Sequence, residues 1–269
     1  MKLHYDPYQI FSASKTPAGL YARQKWLGQA GTRQWKTDFE ETVKMLFANQ
    51  ADDGSWHQSE VETITKLFGL HLTVRETSSK IDSALTWLLE NINLQPVDIS
   101  PGSEMDIIKE KIEGLPFISS RRDFFLMAAT LFLACIFGRN DDRSVLDSYR
   151  WLSSEGLKTK GFWVNRACSH NILRAMIVHP VFSKDSATVL WVETLSGMQL
   201  ESGEWDGDLP FYQTLNALAH LDMPAAERQL DKAFPILYKT QQSDGSWGKT
   251  ESEWNTFLAV HAMRNKGLL

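Results

Sequence analysis

Apolar residues recur at steps of three and four along most of the chain, the period of a helix with one buried face. Segments such as Phe39 to Asn49 and Ala225 to Gln241 are amphipathic, and each repeat follows them with a more apolar segment such as Phe211 to Leu221 or Glu253 to Met263. No segment sustains the period-two alternation of a strand, so the expected fold class is all-α. The more apolar helices are predicted near residues 17 to 28, 58 to 72, 121 to 137, 166 to 178, 208 to 221 and 252 to 265. The amphipathic ones are predicted near 36 to 49, 80 to 91, 142 to 154, 184 to 199 and 226 to 241. A helix surrounded by others keeps little polar surface, so this alternation predicts six inner and five to six outer helices, enough to close a ring. Residues 91 to 120 interrupt the pattern with Pro96, Pro101, Gly102, Gly114 and Pro116. They read as a long insertion loop with one helical turn around Glu104 to Glu113, and loops of that length in a compact domain commonly carry function.

Within the pattern lies a repeat. Leu46, Gln50, Gly54 and Trp56 recur as Leu195, Gln199, Gly203 and Trp205, and again as Leu237, Gln241, Gly245 and Trp247. The chain's own residue frequencies predict roughly 0.003 chance matches to L-x3-Q-x3-G-x-W, so three copies are a real periodicity. Gly161 and Trp163 form a degenerate fourth copy, with Leu157 and Ser153 in the Gln and Leu slots. Each unit reads as helix, short loop, helix. Gly marks the end of the first helix, Trp closes the loop, and Gln holds backbone groups that the helix end leaves unpaired.

These copies resemble the Q-W motif, ending in Gly-x-Trp, of the prenyltransferase and squalene-cyclase repeat family. The resemblance implies an α/α toroid, here one domain over residues 1 to 269, that encloses an apolar central cavity for an isoprenoid-type ligand. In scope the chain is similar to the single-toroid β subunit of protein prenyltransferases, which works with a helical partner subunit. The family's chemistry is not matched residue by residue. No D-x-D-D acid motif is present, and Val61, Tyr212 and Trp254 stand where that acid would be. Arg166 replaces the Asp of the Asp-x-Cys zinc pair at Cys168, and Asp141-Asp142 is followed by Val145 where D-D-x-x-D requires Asp. No metal or cofactor is therefore expected.

Composition narrows the partners. The chain has 28 basic and 33 acidic residues, net −5, without a long like-charge run, so neither nucleic acid nor an anionic membrane has an electrostatic footprint. The longest apolar run, Phe124 to Phe137, falls short of the roughly 20 residues of a membrane span, so no transmembrane segment is expected. An amino terminus without an apolar signal core, and two cysteines without a framework, place the expected location in the cytoplasm.

Asp206 and Asp208 form the densest acid cluster at a predicted inner-helix mouth and read either as catalytic carboxylates or as helix caps. Glu62, at the start of an apolar helix, is the best general-acid candidate if it faces the cavity. Asn171, Gln213 and Asn255 each stand eight residues after a repeat Trp, which suggests a ring of amides that bond one another or a ligand. Phe211, Tyr212 and Trp254 are candidate aromatic contacts for a bound ligand. Three readings stay open at this level. One is a divergent cyclase or prenyltransferase, another a non-catalytic binding or assembly module. The third is a carbohydrate-active toroid that uses loop Trp and Asp residues.

Overall fold

A computed structural model describes residues 2 to 96, 106 to 207 and 209 to 269. Among them are eleven α-helices and no strand. The helices expected inside are α1 (Pro17–Lys25), α3 (Glu60–Thr73), α5 (Arg122–Ile136), α7 (Arg166–Met176), α9 (Phe211–Leu218) and α11 (Ser252–Asn265), of which α1 and α7 are more polar than expected. The helices expected outside are α2 (Arg33–Phe47), α4 (Ser79–Asn91), α6 (Arg143–Lys158), α8 (Ser186–Gly197) and α10 (Pro224–Thr240), all amphipathic except the largely apolar α8. Helix α1 packs on α3, α3 on α5, α5 on α7, α7 on α9, α9 on α11 and α11 back on α1, which closes an inner ring. The other five helices pack outside it, α2 and α4 against α3, α8 against α7, and α10 against α9, with α6 laid against α8. This is an α/α toroid, with six inner and five outer helices among the described residues.

Local sequence explains each start. Thr16, Thr32, Ser59, Ser78, Asn165 and Asp185 accept backbone N–H groups of the first turns of α1, α2, α3, α4, α7 and α8. Helix α9 is shorter than the predicted 208 to 221 because Pro210 stands directly before its first turn. Helix α5 is buried along nearly its whole length, as its uninterrupted apolar run requires. The helical turn expected around Glu104 to Glu113 does not form. Residues 106 to 113 are irregular, with a single bridge from Ile107 to Arg121, and residues 104 and 105 lie outside the described part.

The repeat is a device for joining outer helices. Gln50 Nε2 donates to its own loop carbonyl at Gly54 (3.0 Å) and to Lys80 O in the first turn of α4 (2.8 Å). Gln199 does the same to Gly203 O (2.9 Å) and to Gln229 O in α10 (2.8 Å). Gln241 reaches Gly245 O (3.1 Å) and Tyr5 O (3.0 Å), while its Oε1 accepts from the amides of His4 and Tyr5. The third copy thus fastens the amino-terminal segment and closes the outer layer. Gly203 and Gly245 have φ of 94° and 85°, and a Cβ there would stand 2.2 Å from Lys232 O and 2.0 Å from Asp6 O. Only glycine fits both the left-handed turn and that approach. The indole N–H groups of Trp56 and Trp247 donate to Ala48 O and Leu237 O, and that of Trp205 to Gln229 Oε1. Asp53 and Asp244 bind the Ser55 and Ser246 amides and hydroxyls, so they are turn residues. We expect Gln199→Ala to cost about 2 kcal/mol, because it removes two hydrogen bonds and with them the tie between the loop carbonyl of Gly203 and helix α10. Urea denaturation with an unchanged m-value would check it.

Candidate functional site

The starts of the inner helices surround one mouth of the ring, where Pro17 of α1, Arg121 before α5, Ala167 of α7, Gln213 of α9 and Trp254 of α11 all reach open space. The second half of the long loop, residues 106 to 121, dips into this mouth. Its two arms pair through Ile108 N to Ser120 O (3.1 Å) and Arg122 N to Asp106 O (2.7 Å). Asn171 of α7 holds its tip by accepting from the Ile118 amide (2.9 Å) and donating to Ile118 O (2.8 Å) and Ser120 Oγ (3.0 Å). Trp254 Nε1 donates to Leu115 O (3.1 Å). Phe117, 2% exposed, lies edge-on to Phe125 and Phe132. Arg122 ties the loop's Glu110 to Glu60 at the start of α3.

Two cavities remain around this plug. The larger, about 830 Å3, opens between the loop and the starts of α7, α9 and α11. The smaller, about 650 Å3, lies towards α1 and α3. Glu113, Leu115, Glu251 and Trp254 border both. Each falls within the roughly 300–1,000 Å3 of small-molecule sites. The larger has a mainly apolar wall that includes Ile107, Ile112, Leu115, Phe162, Val164 and Trp254. Apolar space was expected at the ring's centre. There, instead, Phe68, Phe132, Trp254 and Phe257 pack ring against ring and are almost fully buried.

Of the acids near the cavities, Glu251 is unusual. It is an exposed residue in the left-handed region at φ 48°, directly before α11, and partial desolvation of its carboxyl and the neighbouring Glu113 push it up, against a smaller opposing pull from Lys111. Arg166, at the wall of the larger cavity, reaches Asp206 at 3.4 Å.

The residues singled out from sequence divide accordingly. Trp254, Gln213 and Asn171 belong to the mouth, the first two as wall and the third as the anchor of the plug. The amides of Asn171, Gln213 and Asn255 form no common ring. Asn171 binds the loop, and Asn255 donates to Thr250 O of its own helix entry (2.9 Å). Phe211 and Tyr212 pack edge to face, half-buried, with Phe211 also against Trp205. Glu62 does not face the cavity, because it turns outward to His57 at 2.9 Å. Asp206 is half exposed in its pair with Arg166. Asp208 lies outside the described residues. Thr63 and Thr256, which adjoin Glu62 and Asn255 in sequence, accept the amides of Trp56 and Trp247 and so lock the repeat loops to the inner helices. Glu251, Glu113, Leu115 and Ile118 escaped sequence reasoning. The loop is recognised through backbone carbonyls and amides, which leave no trace in side-chain identity.

Among the described residues no group of three or more His, Cys, Asp or Glu side chains could hold a metal ion. Cys168 is buried with its thiol pushed up, chiefly by burial. No described helix is long and apolar enough to cross a membrane. Removing the anchor by Asn171→Ala leaves the buried Ile118 amide and carbonyl unpaired and is expected to cost about 2–3 kcal/mol. Hydrogen exchange would show the Ile118 amide, with the loop around it, losing protection.

No family model matches the chain, and no curated protein matches its sequence. Solved structures do match by shape. A protein from Actinoplanes aligns over 96% of this chain and 90% of its own at 15% identity, with a TM-score of 0.58. The type II terpene cyclase MstE from Scytonema, without ligand, aligns over 95% of this chain and 88% of its own at 10% identity, also with a TM-score of 0.58. At such identities the likeness is one of fold, and the chain is therefore an all-α toroid of terpenoid-cyclase-like architecture.

Proposed function

We propose that this toroid, a divergent member of the prenyltransferase and squalene-cyclase repeat family, binds an isoprenoid-type apolar ligand in the larger mouth cavity. The observation that carries the reading is that cavity: a volume suited to a small molecule, an apolar wall, and a few polar groups at its edge, the usual composition of a ligand site. The likeness to a terpene cyclase supports it at the level of fold. Trp254 supplies an aromatic face to the ligand while its N–H is already satisfied by Leu115, so that donor is not left unpaired on binding.

Calorimetric titration with geraniol, farnesol and geranylgeraniol tests this. Saturable binding is expected, and Ala167→Phe, which projects a ring into the cavity, should weaken it by about tenfold or more. No saturable binding of any of the three alcohols would sink the proposal.

A further inference from the structure

The opposite end of the ring is built from different chemistry. There the last turns of the inner helices bring together His71 of α3, Arg174 of α7, His261 of α11 and His220, just after α9. Arg174 is 4% exposed, yet it has no carboxylate within ion-pairing distance among the described residues. The other buried arginines differ, since Arg23 meets Asp38 at 2.8 Å and Arg121 meets Asp123 at 2.7 Å. Arg174 Nη1 donates to Asn216 Oδ1 (3.0 Å) and its guanidinium lies 5.9 Å from the Phe132 ring centre, but its buried Nε has no acceptor. An unmet charge-bearing donor in a protein interior is costly unless something outside the chain completes it.

The surroundings share one sign. Besides burial, which acts first on the half-buried His71 and His261, the charged groups acting on these two and on the exposed His220 include Arg174, Arg75, Arg264 and Lys266, all cations. Of the acids at this end, Asp222 and Glu227 are taken up by Lys266 on its outer side, and Asp142 by Arg139. Inner-helix carbonyl ends account for the presence of cations here, but they offer Arg174 Nε no hydrogen bond. The His220 and His261 rings stand 5.2 Å apart, and His220 is exposed, so the histidine side of the cluster meets solvent at this end. Asn216, fixed by donation to Leu258 O (3.1 Å), bridges Arg174 and His261. The stacked column of Trp254, Phe257 and His261 separates the cluster from the mouth.

We propose that this floor is a second binding site, for a compact oxyanion, carboxylate or phosphoryl, seated between Arg174 and the imidazoles of His220 and His261. It does not depend on the mouth cavity holding an isoprenoid.

Titrations of the full chain with inorganic phosphate and with benzoate, at ionic strength held constant with chloride, test it. Saturable binding of at least one is expected, and which binds decides between phosphoryl and carboxylate. The ring protons of His220 and His261 should shift in NMR while those of exposed His57 do not. Arg174→Gln should weaken binding by about tenfold or more, the worth of a charge-assisted hydrogen bond. Exposed His220→Gln, which leaves the core intact, should weaken it by a smaller factor. The proposal is overturned if neither anion binds saturably, if both shift all histidines alike, or if either variant that folds binds as the wild type does.

Discussion

Gly245→Ala is expected to destabilise the protein by about 3–5 kcal/mol, an exceptional figure for one added methyl group. Two costs combine. The residue must remain at φ 85°, where alanine is strained, and its Cβ would stand 2.0 Å from Asp6 O, which belongs to the backbone of the segment that Gln241 holds in place. Relief requires the amino-terminal segment to move, and that breaks the Gln241 contacts to His4 and Tyr5. Gly138→Ala is the matched control. It has φ 82° but nothing within 4 Å of a new Cβ, so only the conformational cost of about 1 kcal/mol is expected. Equal losses in the two variants, measured by urea denaturation, would show that close packing across the repeat loop does not matter.

Acid should unfold the protein earlier than its carboxylates require. Burial holds His170 down to about 3 and His71 and His261 down to about 4, from an ordinary 6.5, with nearby cations, Arg174 among them, adding to the effect. In the unfolded chain these rings take up protons near pH 6.5, whereas in the folded chain they do so only near their lowered values. Between those limits the unfolded state binds more protons, so the stability conferred by neutral burial is complete above about 6.5 and is lost as pH falls towards 4 and 3. Each such shift is worth on the order of 3 kcal/mol, a large share of the roughly 5–15 kcal/mol that holds a domain together. By contrast Asp38, held at about 2 chiefly by Arg23, contributes losses only below its ordinary 3.8. Circular dichroism in buffer free of oxyanions should place the acid transition between pH 6.5 and 4. His71→Phe, whose site already faces the Phe132 and Phe137 rings, should lower its midpoint. A midpoint below pH 3.5, unchanged in that variant, would contradict the assignment.

The parts of this fold that a reader of the sequence can find are those that repeat. Leu237, Gln241, Gly245 and Trp247 announce themselves because every copy solves the same local problem, with a helix end, a left-handed turn and an indole that closes it. From that follow the helix pairs, their number and the ring. The site is less legible because its key interactions are made once and across long separations. Leu115 meets Trp254 through a carbonyl, and any residue at 115 would present the same atom. Asn171, Gln213 and Asn255 occupy equivalent repeat positions, but a plug that lies against only part of the ring gives them different work. Glu62 has the expected helical position, yet the exposed His57 beside it draws its carboxylate outward. Arg174 lies in a segment that the sequence places among the inner helices, where nothing marks it as unpaired. Its isolation becomes visible only when α5, α9 and α11 are placed around it.

The central claim is that the apolar space beside the loop at the inner-helix mouth is where the ligand sits. Photo-crosslinking with a farnesyl diazirine, followed by peptide mapping, tests it most directly. Labels competed away by excess farnesol should fall on residues 107 to 121, 162 to 167 and 251 to 254. Labels that farnesol does not displace, or that fall on the outer helices instead, would contradict it.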